Sequence, residues 1–372
     1  MKRHTIPLGS LFGIPLELDL SWFLIFALLT WIMAVGYYPA EFKNWSTATY
    51  WVLGAVTSVM LFVCVVLHEL GHSLLARRYK IRVQRITLFI FGGVSQITAE
   101  PPSASAEFWI SIAGPLVSFA LALIFTAGQL LFPAASPPLA LAKYLAFING
   151  TLALFNLIPG FPLDGGRVLQ AIIWGATRNF DRAARIAIMA GRFIAFAFIL
   201  VGVWQIIGGN WASGLWIAFI GWFLESAAAS QAQQQAISEL LAGHKVSEVM
   251  SRDFTSISPD TPLQHLVDEE ILGRGHRSFI VHQNGEGPGF LTLDRIRNVP
   301  RQDWAIKTAG QAMTPFGKLN SARPDEDLVD ALKEIQSDGD EELPVVEGNR
   351  IVGVISRDSL VQYIRKLHDL KA

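Results

Sequence analysis

The sequence predicts a polytopic α-helical membrane protein, six transmembrane helices with a short β-hairpin, followed by a soluble α/β module in two similar halves. Three observations carry this expectation. Long apolar runs fill the chain up to about residue 230. Hydrophobic residues make up 51% of the chain and charged residues only 16%, against about a quarter charged in soluble proteins. Beyond residue 245 the composition turns ordinary and a pattern of residues returns after about 64 positions.

Each element follows from local pattern. Residues 1–20 alternate polar and apolar with Gly and Pro, as a strand or an interfacial segment does. Six stretches approach or exceed the roughly 20 apolar residues that span a bilayer: 21–37, 50–75, 108–131, 139–157, 186–207 and 211–229. Between the second and third, residues 81–99 are β-branched and aromatic around Gly92-Gly93, which reads as two short strands and a turn. This is either a plain connecting hairpin or an exposed edge on which a peptide can lie as an added strand. After the fourth stretch, Pro159, Gly160, Pro162, Gly165 and Gly166 break the helix; irregular backbone at membrane depth is tolerated only where it lines protein or a cavity. A short helix over 165–174 comes next.

Charge sets sidedness. With six spans, Lys2, Arg3, Arg77, Arg78, Lys80, Arg82, Arg85, Arg167, Arg178, Arg182 and Arg185 fall on one side, and Lys43 and Lys143 on the other. Basic residues gather on the cytoplasmic side, so both termini are expected there, in a bacterial or archaeal plasma membrane. Arg192, two turns inside the fifth stretch, is expected to snorkel back to that face. A net charge of −1 offers no basic field for nucleic acid, and the single cysteine, Cys64, excludes an internal disulfide. Lys2 and Arg3 precede an apolar run that starts near Leu18 and is long enough to stay in the membrane, so no cleavable signal peptide is expected.

The chemistry gathers at His68-Glu69-Leu70-Gly71-His72 in the second stretch. Histidines four apart share a helix face, which suits two imidazole ligands of a catalytic zinc with a neighbouring carboxylate as proton acceptor. A His-Glu-His cluster at membrane depth is costly unless it is used. Counting from Arg77, His72 lies roughly 7 Å and His68 roughly 13 Å below the cytoplasmic helix end. A hydrolytic zinc needs a third protein ligand and an open position for water. Of the eight histidines only His4, His68 and His72 lie in the membrane half, so a carboxylate is expected. Between Trp109 and Phe180 the acid available is Asp164, which taken alone reads better as a turn or N-cap residue starting the next helix, and beside His68 and His72 reads as the ligand. Zinc polarises a peptide carbonyl and acidifies its water; Glu69 takes the water proton and passes it to the leaving amine. Asn156 is a candidate for hydrogen-bonding the substrate backbone or the oxyanion, with a structural helix-end amide as the alternative. Cys64 reads as a packing residue.

Three separated features, His68-Glu69-Leu70-Gly71-His72, Phe91-Gly92-Gly93-Val94 and Asn156…Pro162-Leu163-Asp164-Gly165-Gly166-Arg167, resemble the site-2 protease family of intramembrane zinc metalloproteases. The resemblance implies one Zn2+ per chain on His68, His72 and Asp164, with Glu69 as catalytic acid/base. It also implies a substrate that is itself a membrane-spanning segment, cut near the cytoplasmic side. Substrate contacts are then expected at Gly92, Gly93 and Asn156. Many members carry Asn where this chain has Ser118, so no catalytic role is expected there.

In the soluble half, Val246-Ser247-Glu248-Val249-Met250 matches Ala309-Gly310-Gln311-Ala312-Met313, and Gly289-Phe290-Leu291-Thr292-Leu293-Asp294 matches Gly353-Val354-Ile355-Ser356-Arg357-Asp358. The repeat resembles a tandem pair of CBS modules. The expected organisation is a protease domain at 1–232, a linker at 233–245 and repeats at 246–308 and 309–372. The resemblance implies clefts for an adenine nucleotide or related adenosyl ligand, near Thr292, Asp294, Ser356 and Asp358, and a homodimer through the CBS pair. The ribose-binding Asp of such modules falls three residues after the Ser or Thr, where this chain has Arg295 and Ser359; a ligand-free docking module is the alternative. The rival to the protease reading is a CBS-gated transporter or channel using the histidines as an ion site.

Overall fold

The protein is described from a computed structural model, covering residues 5–371 apart from 91, 98, 253, 284–286, 339–341 and 349. Lys2, Arg3, His4 and Phe91 therefore lie outside the described residues. Among the described residues six helices are long and apolar enough to cross a membrane: α1 (Ser21–Glu41), α2 (Thr47–Arg78), α3 (Ala104–Leu131), α4 (Pro137–Asn156), α6 (Phe180–Ile207) and α7 (Trp211–Leu241), with the shorter α5 (Asp164–Thr177) after the Pro/Gly break. Side-chain caps set three starts. Ser46 accepts from the Thr49 amide, Ser103 from Ala106, and Asn179 from Arg182. The capped starts lengthen α2 and α6 beyond their apolar runs, and Arg77 and Arg78 in the last turn of α2 complement its dipole.

Because lipid offers helices no hydrophobic drive to associate, hydrogen bonds and close contact hold them together. Thr30 donates to Ser58 at 3.2 Å and Tyr38 meets Thr57 at 2.6 Å, both pairs buried between α1 and α2. The Arg192 guanidinium of α6 donates to Glu225 of α7 at 3.1 Å.

The N-terminal segment belongs to a sheet. β1 (Thr5–Leu11) and β2 (Ile14–Asp19) form a hairpin, and β2 pairs in parallel with β3 (Val83–Phe89), which pairs with β4 (Gly92–Ile97). The order is β1-β2-β3-β4, with β4 at the edge. Ile14, Ile86 and Val83 pack with Leu70 and Ala76 of α2 and Ile110 of α3, fixing the sheet against the helix turns that carry the histidines. The two glycines open β4 and do not centre the turn. A Cβ on Gly93 would stand 2.8 Å from Glu69 Cγ, so the strand passes that side chain closely only because this residue lacks one.

By internal contacts the chain divides between Gln235 and Ala236. The second unit holds β5 (Thr255–Ile257), β6 (Ser278–Gln283) and β7 (Gly287–Thr292) in one sheet, and β8 (Glu342–Glu347) and β9 (Arg350–Ser356) in another. Its two larger cores do not follow the sequence repeats, and a smaller one joins Ile280 and Phe290 of the first to Ile351 and Val354 of the second. Val246 and Val249, which open the first repeat, pack with Val345, Ile355 and Leu360 of the second. Ala309 and Met313, which open the second, pack with Phe279 and Leu291 of the first.

Candidate metal centre

The 3.6-residue turn of α2 stacks His68 above His72, and both rings are buried (side chains 5% and 9% exposed). The Pro/Gly loop ends at Leu163, so that Asp164 opens α5; the Phe161 amide donates to the Ala187 carbonyl of α6, tethering that loop. Both readings of Asp164 hold together: it starts a helix, and its carboxylate meets the histidines. His68 Nε2 lies 3.1 Å and His72 Nε2 3.3 Å from Asp164 Oδ2, and the two nitrogens are 3.3 Å apart. Among the described residues these three form the group of ligand type close enough to share an ion.

The donor set fits zinc. Ligands about 2.0–2.1 Å from a tetrahedral zinc stand about 3.3–3.4 Å from one another, close to the spacings here. His72 Nδ1 donates to the Ile110 carbonyl at 2.7 Å, leaving Nε2 with a bare lone pair aimed at the group. His68 Nδ1 lies 2.9 Å from Ser118 Oγ, which fixes that ring likewise. Three electron-rich atoms at such spacing repel one another unless a cation sits among them.

Three residues that sequence reasoning passed over shape this centre. Ser118, given no role, is fully buried and orients His68. Gly114, one turn earlier on α3, is its floor: a Cβ there would stand 2.1 Å from His72 Nε2 and 2.7 Å from His68 Nε2. Ser95 on β4 donates to Glu69 Oε2 through Oγ at 2.7 Å and through its amide at 3.2 Å. The motif Ala113-Gly114-Pro115 signals close packing, and so hinted at Gly114; no local signal marks Ser95. One turn along α5 from Asp164, buried Glu107 of α3 accepts from Arg167 Nε at 2.8 Å, tying the helix that carries Asp164 to the helix that carries Gly114.

The remaining candidates scatter. Gly93 lies against Glu69, with Gly92 beside it in the left-handed region (φ +127°). Asn156 is the half-buried last residue of α4. Cys64 is buried on the ligand-bearing helix. In the second unit, a cleft of about 100 Å3 is lined by Thr292 together with Arg295, Lys318 and Phe290. Asp294 and Asp358 instead face arginines, Arg297 and Arg277, each at 3.4 Å. Ser356 Oγ accepts from the Ser359 amide at 3.0 Å.

The profile of Peptidase family M50 matches residues 56–135 and 132–198, and that of the CBS domain matches residues 246–301 and 309–366. Rip3 of Mycobacterium tuberculosis, which carries a zinc-metalloprotease name, is 32% identical over 97% of this chain and 93% of its own length. A zinc metalloprotease of Methanocaldococcus jannaschii is 26% identical over 97% of this chain and 96% of its own. The solved site-2 protease from that organism is 30% identical and covers 62% of this chain and 95% of its own, with a TM-score of 0.43. A donor set fitted to zinc, a glutamate held beside it, six apolar helices and a match along nearly the whole chain place this protein in peptidase family M50, as a site-2 protease-type zinc metalloprotease that carries a CBS pair.

Proposed function

We propose that this enzyme hydrolyses peptide bonds within or next to the transmembrane segments of membrane-anchored substrates. The observation that carries the reading is the place of the centre: His68, His72 and Glu69 lie within a helix long and apolar enough to span the bilayer, beside an edge strand. When bound, zinc supplies Lewis-acid polarisation of the scissile carbonyl and brings its water toward neutral pKa. His68, His72 and Asp164 would hold it. Ser95 keeps the Glu69 carboxylate in one orientation through two donated hydrogen bonds. From there Glu69 takes the proton of the attacking water and gives it to the departing amide nitrogen. The edge of β4, at Gly92 and Gly93, offers backbone pairing to an unwound substrate strand, and Asn156 is the proposed amide contact where α4 ends.

The charge bias supports a cytoplasmic location for the termini and the CBS pair. There the pair is proposed to regulate or dimerise the enzyme, with an adenine nucleotide as ligand at the cleft beside Thr292. A CBS-gated transporter is the weaker reading, since transport gives no use to a carboxylate held next to the ligand set. The test compares cleavage of a co-expressed single-span reporter by the natural chain and by Glu69→Gln, with zinc measured in both. Retained zinc and lost cleavage support the reading; full cleavage by Glu69→Gln refutes it.

A further inference from the structure

Three residues of α2, Val65, Glu69 and Ser73, follow one another at intervals of one turn and share the helix face that meets β4. Opposite them stand Gly93 and Ser95, alternate residues of the strand, which turn to the same side of the sheet. A Cβ on Gly93 would touch both Val65 and Glu69, so the strand lies close enough for Ser95 to reach the next turn of the helix.

Ser73 is fully buried, although serine inside a helix ordinarily turns to solvent or bonds back to the carbonyl one turn earlier. Here its Oγ donates across to Ser95 Oγ at 3.1 Å. A hydroxyl has one hydrogen to give. With a lone pair of Ser95 Oγ filled by Ser73, the Ser95 hydrogen goes to the better placed of two acceptors. That is Glu69 Oε2 at 2.7 Å, against the Glu69 backbone oxygen at 3.3 Å. The Ser95 amide donates to the same Oε2 at 3.2 Å. Two donors thus hold one oxygen of the carboxylate, and among the described residues none donates to Oε1.

We propose that Ser73 is a positioning residue for the hydrolysis: it acts through Ser95 to anchor Glu69 Oε2, which leaves Oε1 as the atom that takes the water proton and delivers it to the leaving amide nitrogen. The inference rests on the role of Glu69 proposed above. Without Ser73, the half-buried Ser95 side chain is free to leave its staggered well for one that faces away from the carboxylate. The hydrogen bond that remains also loses the strengthening that a second one in series gives it. The hydrogen bond of the Ser73 side chain runs to Ser95 and not to a metal ligand, so the loss falls on kcat. Its size is that of one hydrogen bond, about 2- to 10-fold.

The test uses the full chain in detergent micelles, acting on a single-span reporter. We would measure kcat, KM and zinc content for the natural chain, Ser73→Ala, Ser95→Ala, the double variant and Glu69→Gln. Ser73→Ala is expected to lower kcat by the factor above, with KM and zinc content unchanged. Where Ser95 is already Ala, Ser73→Ala has nothing left to act through and is expected to change kcat by less than about twofold. An unchanged kcat in Ser73→Ala overturns the proposal, and so does a loss that multiplies in full with that of Ser95→Ala. A loss carried by KM or by zinc content overturns it as well, and marks Ser73 as a packing residue of the helix. Glu69→Gln separates the two readings. If it is inactive while Ser73→Ala matches the natural chain, the role of Glu69 stands and this inference falls; if it cleaves at the natural rate, both fall.

Discussion

Gly114→Ala replaces one hydrogen with a methyl group and should cost the enzyme its metal. The added carbon would stand 2.1 Å from His72 Nε2, 2.6 Å from His72 Cε1 and 2.7 Å from His68 Nε2. Non-bonded carbon contacts settle near 3.5 Å or more, so the rings must retreat by about 1 Å. Zinc ligands tolerate only about ±0.2 Å. Neither ring can swing away freely, because His72 Nδ1 is held by Ile110 and His68 Nδ1 by Ser118. Loss of an outer hydrogen bond alone costs about 10- to 100-fold in metal affinity; direct displacement of both ligands should exceed about 100-fold. The assay is zinc content of the purified full chain under competition with a graded chelator. The control is Gly128→Ala on the same helix, where a Cβ meets nothing within 4 Å. If Gly114→Ala holds zinc as tightly as that control, the assignment of this glycine as the floor of the site is wrong.

Other outcomes follow from the same geometry. Ser118→Ala should weaken zinc binding by about 10- to 100-fold while the protein stays folded, measured by the same chelator titration. Ser95→Ala should leave zinc content unchanged and lower kcat by about tenfold or more, since it frees the carboxylate that general acid–base catalysis relies on; an unaltered kcat on a single-span reporter would count against the role of Ser95. Glu107→Gln breaks a pair whose acid is buried and whose arginine is about one-third exposed. A fully buried pair costs about 3–5 kcal/mol to break, and partial exposure of Arg167 brings this to about 2–3 kcal/mol, readable by unfolding in mixed detergent. In the soluble unit, Tyr363 and His244 hydrogen-bond Glu248 Oε2 at 2.7 and 2.8 Å, and with the Lys245 amide they hold its carboxyl down at about 2. A depressed carboxyl contributes stability that is present above its unfolded value, about 4.3, and is lost as pH falls toward 2. Protection of the amides in the terminal helix, Arg357–Lys371, relative to their intrinsic exchange rates should therefore fall between pH 5 and 3 by more in the natural chain than in Glu248→Gln; an equal loss of protection would show that this carboxylate does not matter to the helix.

The helix of His68 and His72 was legible because two periodicities coincide there: an apolar run of membrane length, and histidines one turn apart. Asp164 was legible by scarcity, since acids are few in a chain this apolar. Ser118 and Ser95 were not, because each meets its partner only after folding: Ser118 reaches His68 across 50 positions and Ser95 reaches Glu69 across 26. Serines carry no pattern that singles out one whose neighbour will be a ligand. The first hairpin read only as a strand or an interfacial segment, because its pairing with β3 spans two entire helices. In the soluble half the repeat was plain in sequence. The exchange of opening segments was not, since Val246 and Ala309 are ordinary apolar residues whose destination is decided by packing.

Two strands that exchange hydrogen bonds share one side of the bilayer, so the parallel pairing of β2 with β3 imposes a parity on the chain. Between Asp19 and Val83 it must cross an even number of times, whatever the arginines prefer. The first hairpin is thus a built-in marker of sidedness. A tag in the Phe12–Gly13 turn and one at Ile90 must answer to the same compartment, and a positive-charge bias engineered to invert α1 alone would have to tear a sheet apart to succeed.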